Sequence, residues 1–193
     1  MNLLPYVFVL FAAMLWGTVG TTQTFLTKGI SSFGVAGVRS AIGGGLLLVI
    51  VLAMRKINFR TWSWKWTILA ALTIALFQSL FFASVRYTGV AVGTVITIGS
   101  APVFAGVIEW LFWKGRPSQV WGMATGLAIT GCVLLFVNHG EAVIDPFGII
   151  LALCAGFMFA LYTNVSKQLM KHEETLPAVA MTFTFNYLCE SYS

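Results

Sequence analysis

The side chains able to do chemistry are few, and each stands nearly alone in an apolar stretch: Trp16, Gln23, Arg39, Gln78, Pro102 and Glu109. Arg39 can attract an anionic group or organise a gate, or it can snorkel to lipid headgroups and bond a neighbouring carbonyl. Glu109 can bind a proton or a cationic substrate, because a desolvated carboxylate ionises less readily. Its other reading is an ion pair with Lys114 or Arg116, a few residues on. Gln78 and Gln23 are costly to leave unpaired in hydrocarbon, so each either contacts substrate or ties helices together. Trp16 lies away from the boundary where indoles are favoured, and it either lines a cavity or packs in a core. Pro102 removes a backbone hydrogen bond from the middle of an apolar run, so a kink is expected, with or without a gating role.

Catalysis needs more than this. No paired acids, no nucleophile beside a base and no histidine cluster occur inside the apolar runs, so no catalytic residue is assigned and an enzyme is not expected. His139 and His172 fall in loops predicted on opposite sides, and Cys132, Cys154 and Cys189 share no ligand spacing, so neither metal nor cofactor is expected. Gly43-Gly44-Gly45 lies within an apolar run without a lysine-serine partner, which excludes a phosphate loop. The sequon at Asn164-Val165-Ser166 sits at a predicted cytoplasmic helix end, where glycosylation is not expected.

The elements that position these residues follow from composition. Hydrophobic residues make up 59% of the chain and charged ones 9%, roughly a third of the charge of a soluble domain. One soluble core cannot hide that much apolar surface, whereas a bilayer is itself an apolar solvent. A spanning helix needs roughly 20 apolar residues. Such runs predict helices near Pro5–Thr27, Phe33–Met54, Trp66–Tyr87, Val90–Trp113, Gln119–Val137 and Phe147–Ser166. A seventh begins at Leu176 and turns polar early. Thr88-Gly89 leaves room only for a turn, so the third and fourth helices should form an antiparallel hairpin. The fold class is an all-α membrane protein, a polytopic helical bundle. The GxxxG spacings at Gly89/Gly93 and Gly122/Gly126 are expected to pack neighbouring helices within the chain.

The net charge of +5 does not form a patch, so a nucleic-acid partner is not expected. Instead Arg55, Lys56, Arg60, Lys65, Lys114, Arg116, Lys167 and Lys171 fall in alternate loops, all on one side. The other side carries Lys28 and Arg86 with the acidic Glu141 and Asp145. The positive-inside rule then puts the N-terminus in the cytoplasm, in a multi-pass protein of the plasma (inner) membrane. Trp62, Trp64, Trp66, Trp113 and Trp121 cluster at the cytoplasmic boundary, where indole rings anchor.

The first and sixth runs resemble each other: Leu10, Ala12, Trp16, Leu26 and Lys28 face Leu153, Ala155, Phe159, Leu169 and Lys171. Lys28 is predicted outside and Lys171 inside, so the copies run in opposite directions. An odd number of helices per repeat, here five, produces such an inversion, a pattern of secondary transporters.

Four stretches carry a resemblance to the EamA-type family of the drug/metabolite transporter superfamily. They are AAMLWGTVGTTQTFLTKG with Trp16-Gly17, GVAGVRSAIGGGLLL with Arg39, FFASVRYTGVAVGTVITIGSAPVFAGVIEWLF with Tyr87, Gly89 and Ala101-Pro102, and WGMATGLAITGCVLLF. The likeness covers residues 6 to about 185. It implies a ten-helix fold of two inverted five-helix repeats, with residues 1–140 as the first repeat and 141–193 as the start of the second, holding helix six and part of helix seven. By that pattern the chain is expected to be C-terminally truncated. Where the family has a glutamate before a basic residue after helix four, this sequence has Gly115.

The resemblance implies a secondary transporter or exporter of small metabolites, amino acids or drugs working by alternating access. Its expected partners are the lipid bilayer, a small-molecule substrate and a second copy that completes the fold. The alternative is a non-transporting membrane fragment or scaffold, because a site at the repeat interface needs both walls.

Overall fold

Asp145 shows how the sequence starts a helix here. Its Oδ1 accepts from the Phe147 amide at 2.8 Å, and Pro146 takes the first helical position, where its missing N–H costs nothing. Ser118 does the same for the preceding helix, its Oγ accepting from the Trp121 amide at 3.1 Å. The computed structural model describes residues 3–26, 32–54, 57, 62–113, 118–137 and 145–191, and every element among them is an α-helix. These are α1 (Leu4–Leu26), α2 (Ser32–Ala53), α3 (Trp64–Trp113), α4 (Gln119–Val137), α5 (Pro146–Leu169) and α6 (Thr175–Ser191). Lys28, Arg55, Lys56, Arg60, Lys114, Gly115, Arg116, His139 and Glu141 lie outside the described residues.

Gly89 divides α3 into two arms. Its φ of 79° and ψ of 162° are the one non-helical pair inside the element and belong to a region open essentially to glycine alone. In an unbroken helix Ser84 and Gly93 would stand roughly 13 Å apart along the axis. Instead the Ser84 and Thr88 hydroxyls lie 3.1 Å from where a Cβ on Gly93 would be. The chain has folded back, and the arms are the expected antiparallel hairpin.

The packing of α5 fixes the topology. Along the first arm its partners descend in number as α5 ascends: Tyr87 meets Phe147 and Phe77 meets Phe159, with Glu173, just past the helix, reaching the Ser63 amide at 2.9 Å. Along the second arm they ascend together: Thr97 bonds Ala152, Phe104 meets Phe157 and Glu109 meets Lys167. Helix α5 is therefore antiparallel to the first arm and parallel to the second. That sense is the one the alternating loops predict. Lys65, Lys167 and Lys171 accordingly gather at the Ser63 end and Arg86 at the opposite one.

Satisfaction of polar groups matches an apolar solvent. Thr73, Ser84, Thr88, Ser100, Thr130 and Thr163 each donate a hydroxyl to a carbonyl three or four residues back in their own helix. Such bonds need no water, which hydrocarbon cannot offer. Among the described residues α3 and α5 meet both the length and the hydropathy of a membrane span. Between the charged Lys65 and Arg86 at the ends of its first arm, α3 turns apolar side chains outward, with Leu72 and Leu76 exposed, as is Ile98 on the second arm; Tyr6 to Phe11 of α1 are exposed all round.

Three expectations change. Trp62 lies at the Ser63 end but turns its ring inward: it is 5% exposed, and its indole N–H donates to the buried Thr67 hydroxyl at 2.9 Å. The pair Gly122/Gly126 meets no neighbour among the described residues, while close approaches occur at other glycines, among them Gly44, against the backbone of Phe183 and Thr184 in α6. Finally, α6 keeps its helical form through polar sequence to Ser191, with Asn186 wholly buried. Its start and its third turn both meet the same end of α3, through Ser63–Glu173 and Trp64–Phe185.

Candidate functional site

The seam between the two arms of α3 and α5 gathers most of the described polar side chains inside the bundle. Gln78, midway along the first arm, is 4% exposed. Beside it runs a line of aromatic rings: Phe81 stacks on Phe77 at 5.8 Å, Phe77 meets Phe159 of α5 at 5.0 Å, and Phe159 leans on Tyr162 at 6.2 Å. Across the seam, the Thr97 hydroxyl donates to the Ala152 carbonyl at 3.1 Å. Further along, Asn164 donates its amide to Ala105 of the second arm at 3.3 Å and to Ala160 of its own helix at 2.9 Å.

Glu109 closes the series. It pairs with Lys167 at 2.5 Å, with both side chains about half exposed at the end of the bundle. The partners offered by the sequence, Lys114 and Arg116, are five and seven residues on and lie outside the described residues. The partner among the described residues is on another helix, because the parallel packing of α5 brings its last turn alongside. This contact places a charge interaction at the end where Gly115 departs from the family pattern.

Pro102 lies in the second arm with helical torsions maintained on both sides. Just before it, Gly156 of α5 comes so close that an added Cβ would collide with the Ser100 hydroxyl and sit 2.9 Å from the Thr97 carbonyl oxygen. Just after it, Gly106 accepts the Trp121 ring of α4 against its backbone. Trp16 and Gln23 fall on α1 and Arg39 on α2, and their side chains lie outside the described residues. The structure thus brings Gln78, Pro102 and Glu109 to one three-helix unit, with Gln78 at mid-depth and Glu109 at an end. No group of His, Cys, Asp or Glu able to hold a metal occurs among the described residues.

Sequence reading missed Asn164, which stood out only as a sequon, and Lys167, assigned to a loop. A signal was present: Gly156, Ala160, Asn164 and Lys167 follow at four, four and three residues, one face of a helix. That face is the one α5 turns to the second arm.

Long apolar helices, hydroxyls bonded within their own turns and amides spent on helix–helix ties define a multi-pass membrane protein. The chain belongs to the EamA-like transporter family, which matches it over residues 3–137. It is 43% identical over 176 residues to the Bacillus subtilis (strain 168) protein named "Uncharacterized transporter YwfM", covering 91% of this chain and 60% of that protein. With "Uncharacterized transporter YvbV" of the same organism it shares 29% identity over 154 residues, 77% of this chain and 49% of that one. The chain therefore spans between about half and about 60% of the length of these relatives. No solved structure matches it.

Proposed function

We propose that this chain serves secondary transport or export of small metabolites, amino acids or drugs across the plasma (inner) membrane by alternating access. The observation that carries the reading is Gln78, a buried amide at mid-depth between apolar helices, where transporter substrates are held. The aromatic line from Phe81 to Tyr162 beside it offers faces for an apolar or planar part of a substrate, and the amide orients its polar part. Family membership and the names of the two relatives point the same way.

In this reading the basic end of the bundle, with Lys65, Lys167 and Lys171, faces the cytoplasm, as does the N-terminus. Residues 1–140 make up the first repeat and 141–193 begin the second. The family match over residues 3–137 and the separate helix start at Asp145 support that division. Trp16, Gln23 and Arg39 join Gln78 around the substrate path. Helix α1, bare from Tyr6 to Phe11, is covered by lipid and by a second copy or the further helices that longer relatives have room for. The same bareness favours the second reading, a scaffold that moves nothing by itself.

Proteoliposomes of this chain, screened with a mixed panel of amino acids, nucleobases and cationic dyes, test the proposal. Saturable flux that drops at least tenfold in Gln78→Ala is expected, roughly the loss of one buried hydrogen bond. Folded protein that moves no member of the panel, or flux indifferent to Gln78, overturns it in favour of the scaffold.

A further inference from the structure

From the contacts along the second arm we infer that residues 103–113 form a gate flap, hinged at Pro102 and latched shut by the Glu109–Lys167 ion pair. The inference builds on the transporter reading, since a flap has a purpose only where a path must open. Its physical grounds are three.

The seam between the second arm and α5 is unequal along its length. At Gly156 the helices touch backbone to backbone: no Cβ fits beside the Thr97 carbonyl and the Ser100 hydroxyl, and Thr97 is bonded to Ala152 one turn away. That part cannot separate without losing close packing over many atoms, and it acts as the fixed point. Beyond it the backbones no longer touch and the helices meet through side chains: Phe104 packs edge to face on Phe157 at 5.6 Å. Asn164 donates to Ala105 at 3.3 Å, and Lys167 reaches Glu109 where both side chains meet solvent or headgroups. The ion pair, half exposed at the end of the bundle, exchanges readily with water, so it can open and close.

Pro102 stands between the two regimes. It lacks the N–H that would bond the Ile98 carbonyl, so the helix is weakest at the boundary between the fixed and the releasable seam. The flap also carries Gly106, on whose backbone the Trp121 ring of α4 rests, and movement of the flap is thereby passed to α4. Glu109 and Pro102 thus acquire one shared role, and Lys167 enters it as the partner on the stationary side.

Accessibility of Ala160 reads the flap directly. It is 1% exposed on the α5 face between Gly156 and Asn164, so opening uncovers it. Ala160→Cys is introduced with Cys132, Cys154 and Cys189 replaced by serine. Labelling by a small water-soluble maleimide is timed in permeabilised membranes, so that neither orientation nor any substrate enters. E109Q and K167Q are each expected to raise the rate roughly two- to fivefold, the worth of a part-exposed pair. The swap E109K/K167E should return it to the parent value, and P102A, restoring the N–H, should suppress the E109Q increase. An unchanged rate in E109Q, a swap as fast as the single variants, or an E109Q increase that persists with P102A overturns the inference. A second reporter, Ala152→Cys, wholly buried beyond the fixed point, should stay unlabelled throughout. Labelling there together with Ala160 would mean general loosening in place of a hinged flap, and also overturns it. Flux plays no part in the readout, so absence of transport and absence of a latch are separate results.

Discussion

The side-chain amide of Asn164 in α5 donates to the backbone carbonyl of Ala105 in the second arm of α3, at 3.3 Å, while also bonding Ala160 one turn back. One buried side chain thus ties two parallel helices in a region with no water to replace it. Interhelical bonds of this kind contribute about 0.6 to 2 kcal/mol, since an unfolded helix in the membrane also finds partners. Asn164→Ala is expected to lower stability by about 1 kcal/mol, measured as an earlier midpoint in reversible unfolding by SDS. Asn164→Gln should recover little, because one added methylene displaces the amide from Ala105.

Two helical glycines should behave in opposite ways. Gly156 is pressed against Thr97 and Ser100, whereas Gly126 faces open space. Gly156→Ala forces the seam apart and should cost about 1 to 3 kcal/mol, the usual penalty of overpacking. Gly126→Ala meets no neighbour among the described residues and should be neutral or stabilising by up to about 1 kcal/mol through helix propensity. Unfolding midpoints of the two variants, measured side by side, check the contrast. A similar loss in both would mean that the Gly126 face is covered by something beyond the described residues.

The turn at Gly89 gives a sharper test, because its conformation is unusual even for a turn. A φ of 79° alone would admit asparagine as a tolerable replacement, but a ψ of 162° lies outside the left-handed helical region where asparagine is at home. Gly89→Ala and Gly89→Asn are therefore expected to destabilise the hairpin alike, by about 1 to 3 kcal/mol. Stability of the Asn variant close to that of the parent would show that the arms meet with a different torsion.

These contrasts mark where the sequence was readable. The number and placing of the apolar helices, the Thr88-Gly89 turn and the grouping of basic residues at one end follow from one-dimensional quantities: run length, punctuation and loop charge. Pairing is not one-dimensional. Sequence nearness offers Glu109 only Lys114 and Arg116, which lie outside the described residues, whereas Lys167, 58 residues on, reaches it through the parallel packing of α5 on the second arm. Trp62 reads as a boundary anchor by its type, and only tertiary contacts place its indole inside, on Thr67. Gly122 and Gly126 match a packing spacing, but spacing does not say whether a neighbour exists, and the neighbour of α6 is found at Gly44. Gln78 was legible because an amide midway through an apolar run needs a reason. Asn164 was less so, because its place in a sequon drew attention to glycosylation and away from its depth.

Cys154 tests whether the outer surface of α5 lies in hydrocarbon. It is a free, exposed thiol on the helix, two residues from Ala152, which faces the second arm and is fully buried. The two side chains point to different sides of the helix, so Cys154 is turned away from the seam. In water an exposed thiol reacts readily, through its thiolate. Hydrocarbon excludes charged reagents, so exposure there brings no such reactivity. With Cys132 and Cys189 replaced by serine, Cys154 in intact membranes should therefore resist a charged maleimide, while an uncharged, lipid-soluble maleimide labels it slowly. After solubilisation in detergent and unfolding, both reagents should label it fully. Ready labelling by the charged reagent in intact, folded protein would put this face of α5 against water, and the outer face of the three-helix unit would then line an aqueous path.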